Sequence, residues 1–199
     1  MQSNLSTLIL ARNLEKKVFS THEMAVVLNY KGSVKNLGTW IKRLKDRGLI
    51  KQIKKSYYAL AQEDLNKFEY SNILYSPSYI SLDSALNYYG IITQVPLSIT
   101  AVTLKRAKSV DHEGAVYDYS HMSPKYYWGY ENIGNVLIAD REKSLVDKMY
   151  FESFKSNSQA SFMDELNLED VSKEKLVKYV AKIQNKAFNK LMRTLYAKF

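Results

Sequence analysis

The sequence predicts an α+β chain built as two modules, residues 1–65 and 66–199, and three observations carry that expectation. Helical apolar spacing gives way to paired extended segments within the first sixty residues. Positive charge is concentrated there: residues 1–60 hold 12 Lys+Arg against 3 Asp+Glu, whereas residues 61–199 hold 17 of each, so the whole net charge of +9 sits in the first part. Of the 16 tyrosines, 13 fall between Tyr57 and Tyr150, which marks a change of composition past the boundary. Such asymmetry suggests a basic module that binds a polyanion, joined to a neutral module with another task.

Composition narrows the class further. At 46% hydrophobic and 25% charged the chain has ordinary globular usage, which argues against disorder, collagen and rods. The absence of cysteine excludes a disulfide scaffold, a thiolate metal site and a cysteine nucleophile, and it fits a reducing cytoplasm. Leu5, Leu8, Ile9 and Leu10 are too few and too interrupted for a signal-peptide core. No apolar run approaches the ~20 residues that span a bilayer. The expectation is a soluble protein that stays in the cytoplasm, with no membrane partner.

Start and stop signals divide the first module. Ser3 or Asn4 caps a helix through Leu5, Leu8, Ile9, Arg12 and Leu14. Val18 to Thr21 is a short extended link whose Ser20 or Thr21 caps a second helix with Glu23 in its first turn, ending near Asn29. Ser33 caps a third helix, in which Val34, Leu37, Ile41 and Leu44 form one apolar stripe and Gly48 is the stop. Leu49–Ile53 and Tyr57–Leu60 are extended and joined by Lys54-Lys55-Ser56. Three helices and a hairpin in this order predict a winged helix-turn-helix. Its third helix carries Lys35, Asn36, Thr39, Lys42 and Arg43 on the polar face, suited to base edges of double-stranded DNA, and Lys51, Lys54 and Lys55 on the wing suit phosphates. The competing reading is a solvated basic face on a module that binds protein. Gly38 and Trp40 read as packing residues of the third helix.

The second module begins after the polar stretch 61–70, a connecting helix or linker. Ser81 is placed as an N-cap, Asp83 as an early acid, Leu82, Ala85, Leu86 and Tyr89 as a buried face, and Gly90 as the stop. Strands follow over Ser98–Leu104, with Ile99, Ala101 and Thr103 on one side, and over Ala115–Tyr119 and Val136–Ala139. Asp140 caps a helix to Phe154 with Leu145, Val146, Met149 and Tyr150 inward. A single last helix from Ser172 to Ala197 turns Leu176, Val180, Ile183, Ala187, Leu191 and Leu195 inward. This is a mixed α/β C-terminal domain of short strands and helices.

Three stretches in order, SPSYISLDSALNYYGII, ITAVTLKR and IADREKSLVDKMY, resemble the AbiEi antitoxin family of type IV toxin–antitoxin systems. The earlier LGTWIKRLKDRGLIKQIKKSYYAL resembles that family's winged helix, so the likeness spans about residues 5–155. The short C-terminal portion departs from longer members. The resemblance implies a repressor of its own operon that binds operator DNA, with a dimer on DNA as one arrangement. It also implies opposition to a nucleotidyltransferase-like toxin, with or without a stable complex, and phage defence.

A search for catalysis finds little. Glycine-rich phosphate loops are absent, and His22, His112 and His121 are too dispersed for a metal site, so neither metal nor cofactor is expected. Asp111-His112-Glu113 reads as a solvated turn before Gly114. Asp140 and Glu142 read as cap and first-turn acid, Asp147 as a salt-bridge partner on the helix's polar face, and Glu15-Lys16-Lys17 as a short chance match to a nuclease pattern. The tyrosine-rich middle admits core packing or a protein-binding surface, for which Tyr126, Tyr127, Trp128 and Tyr130 are the candidates. The rivals to an antitoxin are a plain winged-helix regulator that senses a ligand or dimerises, and a DNA nuclease.

Overall fold

The computed structural model describes residues 17–27, 34–155 and 160–199, without the side chains of Val27, Val34, Lys35, Ala160 and Ser161. The expected first helix and the Ser33 cap lie outside the described residues, as do Glu15 and Lys16. The chain divides between Asn66 and Lys67 into two units, each of mixed α+β content.

Unit one runs β1 (Val18–Ser20), α1 (Thr21–Val27), α2 (Val34–Asp46), β2 (Ile50–Lys54) and β3 (Tyr57–Leu60). Ser20 caps α1: its Oγ accepts from the Glu23 N–H at 3.1 Å, and Glu23 Oε2 accepts from the Ser20 N–H at 2.7 Å, a reciprocal capping box. The extended link becomes a strand because Val18–Ser20 pairs with Tyr57–Ala59, giving an antiparallel sheet in the order β1-β3-β2. Leu37, Ile41 and Leu44 bury the inner stripe of α2 against Phe19, Met24, Ile50, Tyr58 and Leu60. At Gly48, φ is +66°; its N–H reaches the Lys45 carbonyl at 2.8 Å and the Leu49 N–H the Leu44 carbonyl at 3.0 Å, which closes the helix. Trp40 packs on the edge of this core. Gly38 does not pack: it is exposed, and a Cβ there would meet nothing within 4 Å among the described residues.

Unit two continues with α3 (Lys67–Leu74), β4 (Ser78–Ile80), α4 (Leu82–Tyr88), β5 (Ile99–Thr103), β6 (Lys108–His112), β7 (Ala115–His121), β8 (Tyr130–Ile133), β9 (Val136–Ala139), α5 (Arg141–Glu152), α6 (Lys173–Val180) and α7 (Lys186–Tyr196). Its six strands form one mixed sheet, β6-β7-β5-β4-β9-β8, with β5–β7 and β4–β9 parallel. The expected alternation of β5 gives way to burial on both faces, because Ala101, Val102 and Thr103 all lie in the middle of the sheet with no exposed side. Edge strands β6 and β8 are polar and largely exposed, so no apolar alternation announces them. Asp111 and His112 end β6 rather than forming a turn. Only Glu113 and Gly114, at φ +47° and +73°, make the reversal, and His112 rests half-buried on Tyr70 at 5.1 Å.

The expected single last helix is two. Ser172 caps α6 and Asn185 caps α7, whose Phe188 N–H reaches Asn185 Oδ1 at 2.9 Å. The break re-phases the chain, so Phe188, Met192 and Leu195 are buried and Ala187 is exposed. Among the described residues no helix is long and apolar enough to cross a membrane.

Candidate functional site

In unit one the inward stripe of α2 dictates what faces out. Asn36, Thr39, Lys42, Arg43 and Asp46 are exposed along the opposite face, and Lys35 holds a position in the first turn. The hairpin presents Lys55 at its tip, beside Ser56 at φ +65°, while Lys51 and Lys54 are half-buried on β2. The Lys54 ammonium lies 4.4 Å from the centre of the Tyr57 ring. Helix and hairpin are tied together: Lys45 Nζ donates to Gln52 Oε1 at 2.7 Å, and Gln52 Nε2 donates to the Lys54 carbonyl at 3.3 Å. The arrangement sets cations and neutral hydrogen-bonding groups on two neighbouring elements. It can meet phosphates and base edges of a duplex.

Unit two places its most unusual chemistry inside. Lys143 and Asp147, one turn apart on α5, are both fully buried and ion-paired. Lys143 Nζ also donates to the Tyr79 hydroxyl at 3.2 Å; the Tyr79 and Ser81 hydroxyls donate to Asp147 Oδ2 at 2.9 and 2.8 Å. Two expectations are corrected here. Ser81 stands at the start of α4 but its hydroxyl caps nothing, being committed to Asp147. Asp147 does form the expected salt bridge, with Lys143, but in the interior and not on a polar outer face, because the helix turns it toward β4. Burial pushes the Asp147 carboxyl above its ordinary range, against the pull of Lys143, Ser81 and Tyr79. Burial also pushes the Tyr79 hydroxyl up, with Asp147 adding to it. With every member bonded to another and enclosed, the quartet fastens α5 to β4 and offers no group to a substrate.

The aromatic segment covers this quartet. Tyr130 stacks on Tyr79 with ring centres 4.7 Å apart and planes 14° apart, Tyr127 lies at 4.9 Å, and the Lys143 ammonium sits 4.7 Å from the Trp128 ring centre. Gly129 is required by its neighbour as well as its φ of +75°: a Cβ would stand 3.0 Å from Lys143 Cγ. Tyr126, a candidate for a partner surface, follows the core-packing reading instead: it is buried and packs on Tyr150 at 5.3 Å. Tyr127 and Trp128 are half-buried, and Tyr130 keeps an exposed edge. Among the described residues the most exposed apolar side chains lie elsewhere, on the loop after α4: Val95 is 75% exposed and Leu97 fully so. The Asn87 amide shapes that loop by donating to the Ile92 and Gln94 carbonyls at 3.4 and 3.2 Å. Nothing in the spacing of TQVPLS announced exposure, because isolated apolar residues in a loop read equally as core plugs.

At the start of α5, Asp140 caps by accepting from the Lys143 N–H at 2.8 Å and also accepts from the Tyr179 hydroxyl at 2.7 Å. Glu142 accepts from the Ser172 N–H at 2.9 Å and pairs with Lys175 at 2.9 Å. These carboxylates join α5 to α6. Among the described residues no group of three or more His, Asp or Glu side chains is placed to hold a metal ion.

The neutral balance of residues 61–199 conceals a second asymmetry. Residues 61–170 carry 9 Lys+Arg against 16 Asp+Glu, and residues 171–199 carry 8 against 1. An acidic body thus bears a basic pair of last helices. No protein-family model and no curated protein matches the chain.

Proposed function

We propose that this protein is a DNA-binding transcriptional repressor and antitoxin of a type IV, abortive-infection toxin–antitoxin system of the AbiEi kind. Unit one is its winged helix, with α2 as recognition helix and the β2–β3 hairpin as wing. Unit two counteracts a nucleotidyltransferase-like toxin. One observation carries the DNA half: exposed Asn36, Thr39, Lys42 and Arg43 stand beside a hairpin bearing Lys51, Lys54 and Lys55, in the part of the chain that holds the net charge of +9. The order β1-α1-α2-β2-β3, with β1 as third strand of the small sheet, supports the winged-helix assignment. The antitoxin half rests on the resemblance of the stretches between Ser76 and Tyr150. The reading places the protein in the cytoplasm, on operator DNA, without a cofactor.

The test is a titration of the full chain onto duplex DNA from upstream of its own gene at rising salt. Binding weakens steeply with salt, and Lys54→Ala with Lys55→Ala lowers the log–log slope by about 0.9 for each phosphate the protein ceases to neutralise. Affinity that ignores salt overturns the reading. Magnesium-dependent cleavage of the duplex would favour the nuclease. Repression without protection against a co-expressed nucleotidyltransferase from the neighbouring gene would favour a plain regulator.

A further inference from the structure

Gly38 stands where a helix gains nothing from glycine. It is the fifth residue of a thirteen-residue helix, α2, at an ordinary helical turn with no positive φ, and it costs about as much as any internal helical glycine. Packing does not require it, since a Cβ at that position would meet nothing within 4 Å among the described residues. The smooth spot lies in the middle of a cationic line: Lys35, Lys42 and Lys45 stand at three residues before and four and seven after, which is one side of the helix. That side faces the wing, because Lys45 bonds Gln52 of β2. An open stretch of helix backbone flanked by lysine positions, on the side whose Lys45 bonds the basic hairpin, suits a polyanion strand lying directly on it.

We propose that Gly38 is a close-approach position, where the sugar–phosphate backbone of duplex DNA lies against α2 between the recognition face and the wing. Glycine is the residue that lets two backbones meet without a side chain between them. The inference rests on the DNA-binding reading above and adds where one strand runs. Lys42 supplies charge on one side of that strand, and the wing lysines supply it on the other. A Cβ at position 38 displaces the strand outward and loosens both sets of contacts.

Opposite signs make the test decisive. Gly38→Ala and Gly38→Leu are introduced into the full chain, and two quantities are read: the calorimetric transition of unit one, and affinity for the upstream duplex and for a mixed-sequence duplex across salt. Because both residues favour helix and the space is open, the transition rises, by about 4–8 °C for alanine in a unit of this size. Affinity falls on both duplexes, roughly tenfold for alanine and further for leucine, with a shallower salt slope. More stable proteins that bind DNA with unchanged affinity and slope overturn the proposal while leaving DNA binding in place. A lowered transition also overturns it, since the position would then be enclosed. If the unaltered protein binds neither duplex, the functional reading fails as a whole, and the rise in the transition identifies an open helix face without a DNA strand on it.

Discussion

The two units spend their polar residues in opposite ways. Among the described residues, every buried polar or charged side chain belongs to unit two: Lys143, Asp147, Glu142, Glu152 and Glu69, with several serines and Thr103. In unit one the buried side chains are apolar or aromatic, and the polar groups of α2 and the hairpin lie on the outside. A core of Leu, Ile, Phe and Met on a short sheet leaves unit one's cations where a ligand can reach them. Unit two consumes its charges in holding its own elements together. An unusual residue therefore means different things in the two halves: exposed cations point to a partner, and buried ones to architecture.

The largest effect that could break this comparison is at Lys143. Lys143→Met leaves Asp147 enclosed without its counter-ion and with only the two hydroxyls, which costs unit two about 3–5 kcal/mol. Removing both charges, with Lys143→Met and Asp147→Leu, recovers most of that loss, because a matched apolar pair has no stranded charge. Calorimetry of the full chain shows the unit-two transition falling for the single variant and largely restored for the double, while the unit-one transition is unchanged. A single variant as stable as the original protein would mean that Asp147 has other means of neutralisation, and the architectural reading of the quartet would be lost.

The same contrast explains what the sequence could and could not disclose. Local signals were legible wherever one short stretch determines its own conformation. Gly48 and Gly90 end helices, Asp140 caps α5, and the Leu37, Ile41, Leu44 stripe is buried. The polar face of α2 was legible for the same reason, since burying one stripe exposes its opposite. What was not legible depends on partners distant in the chain. Asp147 finds Tyr79 and Ser81 across more than sixty residues, which also diverts the Ser81 hydroxyl from its cap. Strands β6 and β8 exist because β7 and β9 pair with them, not because Lys108–His112 or Tyr130–Ile133 is strongly β-forming. The break before α7 was obscured because Leu176, Val180 and Ile183 run on at helical spacing to Leu191, and the Asn185 cap lies between them.

A smaller effect sharpens the other side of the comparison. Arg43 is exposed on α2 in line with Asn36 and Thr39, so its guanidinium is expected at a base edge rather than in a structural pair. Arg43→Ala should leave the stability of unit one within about 0.5 kcal/mol, as for other surface substitutions. Discrimination between the upstream duplex and mixed-sequence DNA should fall by about 1–3 kcal/mol, the range for a bidentate contact to guanine. Competition binding with single base-pair substitutions measures this. An equal loss on both duplexes would make Arg43 a phosphate contact, moving sequence reading to Asn36 and Thr39.

The smallest effect concerns acid, and it tests whether buried carboxylates hold unit two together. Burial alone would raise the Glu142 carboxyl, but the Ser172 N–H and the Lys175 ammonium outweigh it and hold the group below its ordinary value of 4.5. A carboxyl that is more acidic folded than unfolded contributes stability above its unfolded value and loses it as pH falls through the folded one. Glu142 should therefore support the α5–α6 junction at neutral pH and begin to lose that support as pH falls below about 4.5. Glu142→Gln keeps the shape and one acceptor for the Ser172 N–H while removing the charge. Asp147 acts in the reverse direction, since its raised value favours the folded state on acidification, but it is present in both proteins and cancels in their difference. The unit-two transition of the original protein should lie above that of Glu142→Gln near pH 7, and the gap should narrow as pH falls below about 4.5. A gap that stays constant across this range would show that the junction depends on the shape of the side chain at 142, leaving the Lys143–Asp147 pair as the charge pair that matters in unit two.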